Sequence, residues 1–144
     1  FGVFPQPLVE PVTRLVINTV SCTSAFSQYG AIAALEGPWD QVDAMVAEFS
    51  RRRDVIVDGL SAIDGISCLS PDGAFYVFPS VRELGIPSKR VEEEILERAG
   101  VACLSGTAFG QHGEGYLRFS YANSVENISA AIDAIRATLP EITA

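Results

Sequence analysis

The sequence predicts an α+β fold, a small sheet with helices on one face, preceded by helices that have no sheet of their own. Three observations carry this. Up to residue 63 the apolar residues recur every three or four positions, and after Gly65 they recur every second position. From residue 65 onward strand and helix patterns follow one another as ββαββα, the order of a sheet with helices packed on one side. The first 37 residues contain helical patterns and no strand pattern.

PLVEPVTRLVINT reads as a short helix with proline at its entry. After the SCTS turn, AFSQYGAIAALEG reads as a second helix, with Ser24 as its cap and Gly37 at its end. Its apolar positions Phe26, Tyr29, Ile32, Ala33 and Leu35 cover much of its circumference, so it needs more than one neighbour. PWDQVDAMVAEFSRRRDVIVDGLSAI is a long amphipathic helix. Val42, Met45, Phe49, Ile56, Leu60 and Ile63 form its apolar stripe, Asp40 and Asp43 suit its N-terminal end, and Asp64 and Gly65 break it. GISCL and AFYVFP, separated by a turn containing PDG, read as a hairpin. SKRVEEEILERAG is a helix with Ser88 as cap and Gly100 as terminator. VACL is a strand, SGTAFGQHGEG a loop, and Tyr116–Tyr121 a strand. Ser124 caps the last helix, which carries Ile128, Ile132, Ile135 and Leu139 on one face. Three segments follow: helical residues 1–37, the long helix 38–64, and the α+β part 65–144.

The chain is 48% hydrophobic and 19% charged, a globular balance. Its net charge of −8 disfavours nucleic acid and anionic membrane as partners. No apolar run approaches the roughly 18 residues that span a bilayer. The chain starts at Phe1, its only methionine is Met45 and no signal peptide is visible, so a piece of a longer protein is expected. Cys22, Cys68 and Cys103 have neither disulfide-framework nor zinc spacing. Buried, reduced thiols of a cytoplasmic protein are expected.

Candidate chemistry centres on Arg118. It stands mid-strand in GEGYLRFSYA, on the side opposite Leu117, Phe119 and Tyr121, with no acidic residue on its own strand face. A guanidinium there needs a carboxylate or phosphate, and a ligand carboxylate would explain it. A structural salt bridge or an edge-strand arginine reaching water stands as the alternative. The Gly-rich stretch GQHGEGY precedes a strand, not a helix, so a phosphate cradle is rejected. His112, the only histidine, reads as a solvent-exposed loop residue, and Lys89, the only lysine, as a solvated residue of a polar first turn. Arg51, Arg52 and Arg53 read as a solvated face pairing with Glu48, and the carboxylates form no metal motif.

Six segments in order bear a family resemblance: FGVFPQPLVEPV, SCTSAFSQYGAIAALEG, FSRRRDVIVDGL, PDGAFYVFP, GVACLSGTAFG and GEGYLRFSYA with the helix after it. Together they resemble the C-terminal part of a fold-type I, pyridoxal-phosphate-dependent aminotransferase of the aspartate aminotransferase-like class I/II group. The resemblance implies that residues 1–37 belong to the large domain and dimer interface, 38–64 to an interdomain helix, and 65–144 to the small domain. It implies a homodimer that moves an amino group between an amino acid and a 2-oxo acid. Arg118 matches the arginine that holds the substrate α-carboxylate. Gly73 and Phe75 resemble a pocket-lining segment, and Asn18 to Ser24 one that approaches the neighbouring subunit's cofactor. The family's Schiff-base lysine and its ring-contacting residues have no counterpart here, so the chain alone is expected to be inactive. The same scaffold also serves lyases, decarboxylases and synthases. A non-catalytic binding or dimerisation module is the competing class.

Overall fold

The structure is a computed structural model and describes residues 2–143. It divides into two compact units, one ending at Gln41 and the other starting at Val42.

The first unit is helical, as its periodicity predicts. Helix α1 spans Gln6–Thr19, and Pro5 supplies its entry. Pro7 sits in the first turn, where no N–H is missed, but Pro11 lies inside the helix and removes one backbone bond. Side chains of Thr13, Asn18 and Thr19 bond carbonyls four residues back. Helix α2 spans Ala25–Glu36. Ser24 holds the position before it, yet its side chain does not cap the helix: its Oγ meets the Ser27 hydroxyl at 2.8 Å. Neither helix has a buried residue.

Helix α3 spans Asp40–Ser61 and buries Ile56 and Leu60 of its expected apolar stripe, while Val42 and Met45 are exposed. The sheet has three strands, β1 (Tyr76–Val77), β2 (Leu104–Ser105) and β3 (Leu117–Ser120), in the order β1-β3-β2, all antiparallel. Tyr76 faces Ser120 and Val77 faces Phe119, while Leu104 faces Arg118 and Ser105 faces Leu117. The expected strands 74–79 and 116–121 are thus shorter as regular ladders, though one register runs past both ends. Tyr121 N–H donates to Phe75 O, Leu117 N–H to Pro79 O, and Val81 N–H to Gly115 O. Pro79 has no N–H to return, which interrupts the ladder, and Ala74 has φ 64, which bends the chain out of it. The expected strand GISCL contributes a single bridge, Ser67 to Ser80, so β3 alone is central.

Helix α4 (Ser88–Glu94) runs on into a wider, π-helical turn over Ile95–Ala99 that ends at Gly100 with φ 67. Ser88 is its first residue and not its cap, a correction to the sequence reading. Helix α5 spans Val125–Thr143, with the Asn127 N–H donating to the Ser124 Oγ as its cap. The core is the inner face of the sheet (Val77, Leu117, Phe119, Tyr121) covered by Ile56, Leu60, Val91, Ile95 and the α5 row Ile128, Ile132, Ile135, Leu139. The sheet's other face carries Tyr76, Leu104, Tyr116 and Arg118, the period of two made physical.

Candidate functional site

Strand β3 puts Arg118 on the face of the sheet that the helices leave uncovered, opposite Leu104 of β2. Two rings hold its guanidinium. The carbon Cζ lies 4.4 Å from the centroid of Tyr76, a β1 neighbour, and 4.5 Å from that of Phe109, which reaches over from the loop after β2. Each such contact is worth about 0.5–2 kcal/mol and fixes a long side chain that would otherwise sample many rotamers.

Of the nine arginines, Arg14, Arg51, Arg52, Arg53, Arg90, Arg98 and Arg136 each have a carboxylate within 4.0 Å. Arg118 and Arg82 have none among the described residues, and both lie on aromatic rings, Arg82 on Tyr116 at 4.6 Å. Nor does the Arg118 guanidinium hydrogen-bond to any described residue. Two aromatic rings therefore neighbour the Arg118 guanidinium while its five donors stay uncommitted among the described residues. Of the two competing readings of this residue, the structural salt bridge is absent among the described residues, and β3 is the central strand of the sheet, not an edge.

The rings continue as a row. Phe78 stacks on Tyr116 at 5.2 Å and 11°, and meets Phe109 edge-on at 6.2 Å and 78°. At the other end, Phe75 lies 4.4 Å from Tyr76. Phe75 and Arg118 thus share Tyr76 as a common neighbour. Phe75 also lines a cleft of about 340 Å³ with Gly73, Phe49, Arg53, Asp72 and Tyr121. Nothing lies within 4 Å of where a Gly73 Cβ would stand, so the missing side chain keeps surface open and relieves no clash. Between Gly73 and Phe75, Ala74 adopts its left-handed backbone, rare outside glycine, and the buried Tyr121 hydroxyl pins it by donating to Ala74 O at 2.8 Å.

The segment Asn18 to Ser24 belongs to the first unit. It contains the other non-glycine residue of positive φ, Ser21 at 60°, among the described residues. Both candidate segments named from the sequence thus contain a strained residue.

The loop that supplies Phe109 is held from below. Ser105 Oγ accepts from the Thr107 N–H at 3.3 Å, starting the 3-10 turn Gly106–Phe109. The chain then doubles back so closely that a Cβ on Gly106 would stand 2.1 Å from the Gly113 oxygen. Next comes Glu114, whose carboxylate accepts from the Ser88 N–H at 2.9 Å and the Ser88 hydroxyl at 3.0 Å. Those two donors hold the Glu114 carboxyl below its ordinary range. Sequence reasoning missed Phe109, Tyr76 and Glu114, because each acts through a partner distant in sequence.

The remaining sequence candidates stand apart from this site. Lys89 is exposed on the first turn of α4, 2.9 Å from Glu92 and 3.8 Å from Glu93, and the Glu92 bond raises its pKa. An amine that bonds covalently to a carbonyl cofactor must shed its proton near neutral pH, so this lysine does not fit that role. His112 is exposed beside Gln111. Arg51 and Arg52 pair with Glu48 as expected, but Arg53 pairs with Asp54. The cysteines are free. Against the expectation of burial, Cys22 is exposed because the first unit buries little, and Cys68 and Cys103 are half-buried. Burial pushes the Cys68 thiol up to about 11 and the Cys103 thiol up to about 12. Among the described residues no cluster could hold a metal ion, and no helix is long and apolar enough to cross a membrane.

The profile of the family "Aminotransferase class I and II" matches residues 5–135. The chain is 38% identical over 141 residues to the aspartate aminotransferase of Pyrococcus horikoshii, a match covering 96% of this chain and 36% of that protein. It is 37% identical to the aromatic-amino-acid aminotransferase 2 of Thermococcus litoralis, covering 95% of this chain and 36% of that one. Among solved structures, the aromatic aminotransferase of Pyrococcus horikoshii superposes with a TM-score of 0.84 at 36% identity, over 95% of this chain and 37% of that one. The chain thus spans little more than a third of the length of the curated relatives it matches. A profile match over most of the chain, and an α+β fold shared with solved members, lead to one conclusion: this chain belongs to the class I and II aminotransferases.

Proposed function

We propose that this chain supplies the substrate-carboxylate subsite of a pyridoxal-phosphate-dependent enzyme that transfers an amino group between an amino acid and a 2-oxo acid. Arg118 is the carboxylate-binding residue. The observation that carries this is its guanidinium, held beside the rings of Tyr76 and Phe109 and unpaired among the described residues. A carboxylate arriving in the plane of the fork forms two parallel charge-assisted bonds and meets a side chain whose rotamer is already fixed. Fixing the carboxylate at two points restricts rotation of the substrate about its own Cα, which orients the bond to be broken. Gly73 and Phe75 line the neighbouring surface.

Pyridoxal phosphate would supply the electron sink for amino-group transfer, and its lysine and ring contacts are provided by sequence outside this chain. In this reading residues 1–37 belong to the large domain, 38–64 to the interdomain helix and 65–144 to the small domain. Asn18 to Ser24 face the cofactor of a second subunit in a homodimer.

The test is Arg118→Ala in the protein carrying its upstream sequence. The amino-acid KM should rise and kcat/KM fall by roughly a hundredfold or more, the cost of a lost charged fork, while cofactor absorbance stays as it was. Unchanged kinetics would reject the carboxylate role. Products analysed alongside separate amino-group transfer from carbon dioxide loss or elimination on the same scaffold.

A further inference from the structure

Ser88 and Ser105 are the buried polar side chains of the second unit's core, 0% and 1% exposed, and neither lies on the substrate face of the sheet. Their hydroxyls meet at 2.9 Å. Ser88 Oγ also meets Glu114 Oε2 at 3.0 Å, and Ser105 Oγ meets Thr107 Oγ1 at 2.8 Å. Four residues therefore form one line: Glu114, Ser88, Ser105, Thr107.

The line has a direction. An ionised carboxylate only accepts, so the single Ser88 hydroxyl hydrogen goes to Glu114. Ser88 Oγ is then free only to accept, and it takes the Ser105 hydrogen. Ser105 Oγ accepts in turn from the Thr107 hydroxyl and from the Thr107 N–H at 3.3 Å. Every hydroxyl has one orientation, dictated from the Glu114 end, and hydrogen bonds aligned in this way strengthen one another. A second carboxylate fixes the middle of the line: the Ser105 N–H donates to Glu92 Oε2 at 2.8 Å, and Glu92 is itself held by Lys89.

What this line fixes is the start and the end of the loop that supplies Phe109. Ser105 and Thr107 begin the turn whose last residue is Phe109, and Glu114 follows the Gly106–Gly113 contact that closes the loop. Phe109 is one of the two rings on Arg118.

We propose that Glu114 is a positioning residue for the carboxylate subsite: through Ser88, Ser105 and Thr107 it anchors the loop that holds Phe109 against Arg118. This rests on the reading of Arg118 as the carboxylate residue. Glu114→Gln keeps the shape but leaves one acceptor oxygen for two Ser88 donors: either the Ser88 N–H loses its acceptor, or the amide donates to Ser88 Oγ and the direction of the whole line is reversed. Ser105→Ala cuts the line in the middle and leaves Glu114 in place.

Two measurements test it. The first is NMR of this chain. With its Cζ within 4.5 Å of the Tyr76 and Phe109 ring centroids, Arg118 should show a ring-shifted Nε–H signal, and both variants should move it and broaden the Phe109 ring signals, with far-UV circular dichroism unchanged. The second is kinetics in the protein carrying its upstream sequence. Glu114→Gln should raise the amino-acid KM roughly tenfold, the cost of one lost bond to a charged group, with kcat changed much less. Ser105→Ala should do the same to a smaller extent. Arg118 and Phe109 signals that stay put in both variants overturn the anchor. Signals that move while KM stays constant also overturn it, and leave the line a purely structural one. If Glu114→Gln fails to fold, Ser105→Ala carries both measurements alone. Failure of the Arg118 reading shows separately, as an unchanged KM in Arg118→Ala.

Discussion

Both units contain helices with apolar faces, yet only one of them has an interior among the described residues. In α1 and α2, 14 and 12 residues long, no side chain is buried, and Phe26 and Tyr29 are 81% and 73% exposed. Toward the end of α3 and along α5 the corresponding apolar residues disappear: Leu60 and Ile135 are each 1% exposed. An apolar stripe specifies a helix, but it lowers free energy only where a second surface excludes water from it. The second unit supplies that surface as the inner face of its sheet. The difference locates stability in the residues after Val42 and assigns the exposed helical faces of the first unit no stabilising role in this chain.

The strongest way to break the comparison is a matched pair of truncations. Leu60→Ala should cost about 2–5 kcal/mol, because it removes a fully enclosed side chain and leaves a cavity. Ile32→Ala, in a helix with no buried residue, should stay within about 0.5 kcal/mol. Denaturant titration of each variant reads both. Equal losses would mean that α2 is buried against something in solution.

A smaller effect should sharpen it. Ala74 and Ser21 have nearly the same left-handed backbone, one in each unit. Replacing Ala74 by glycine relieves that conformation and should stabilise the second unit by up to about 1 kcal/mol, the relief exceeding glycine's greater freedom in the unfolded chain. Ser21→Gly should give the same gain only if the first unit unfolds together with the second. Calorimetric melting of the two variants compares them directly.

The smallest effect expected is that of acid. Glu114 and Glu48 are both held below the ordinary carboxyl range, Glu114 by the Ser88 N–H and hydroxyl, Glu48 by Arg51 and then Arg52. A carboxyl depressed in the folded state contributes its stability above the unfolded value, about 4.3, and loses it as pH falls through the folded one. The denaturation midpoint should therefore stay level from neutral pH to about 5 and decline below about 4. Glu114→Gln should flatten part of that decline. Both carboxylates are solvent-accessible, so the change should be modest.

Much of this fold was legible in the sequence because its signals are local. The switch of period after Gly65 locates the sheet, and Ser124 caps α5 as its position implies. Arg118 was legible because a charge in the middle of a strand is conspicuous. Other features depend on contacts that no local pattern encodes. Ser88 looks like a cap, but Pro87 takes the position before the helix and a carboxylate 26 residues away captures the Ser88 donors. Phe109 reads as a loop aromatic until the chain folds it over Arg118. The strand before Ser80 appears longer in sequence than in structure because Pro79 lacks a donor and Ala74 leaves the extended region, both properties of single residues within a favourable run.

The widened turn at Ile95–Ala99 bears on how this gene can change length. There the Gly100 N–H reaches back five residues to Ile95, so the turn holds more chain than an α-helical one. Loss of one codon between 95 and 99 would restore the ordinary pitch and leave the chain beyond the helix in its present place, because the widened turn already holds the residue to be lost. One codon lost between Gly100 and Leu104 meets no such slack. The polypeptide entering β2 would then arrive one residue out of step, and a one-residue slip in a strand exchanges its two faces. Leu104 would leave its place opposite Arg118, and Ser105 would leave the Glu92 carboxylate. Two deletions of the same size, a few residues apart, would thus differ in whether the sheet keeps its register.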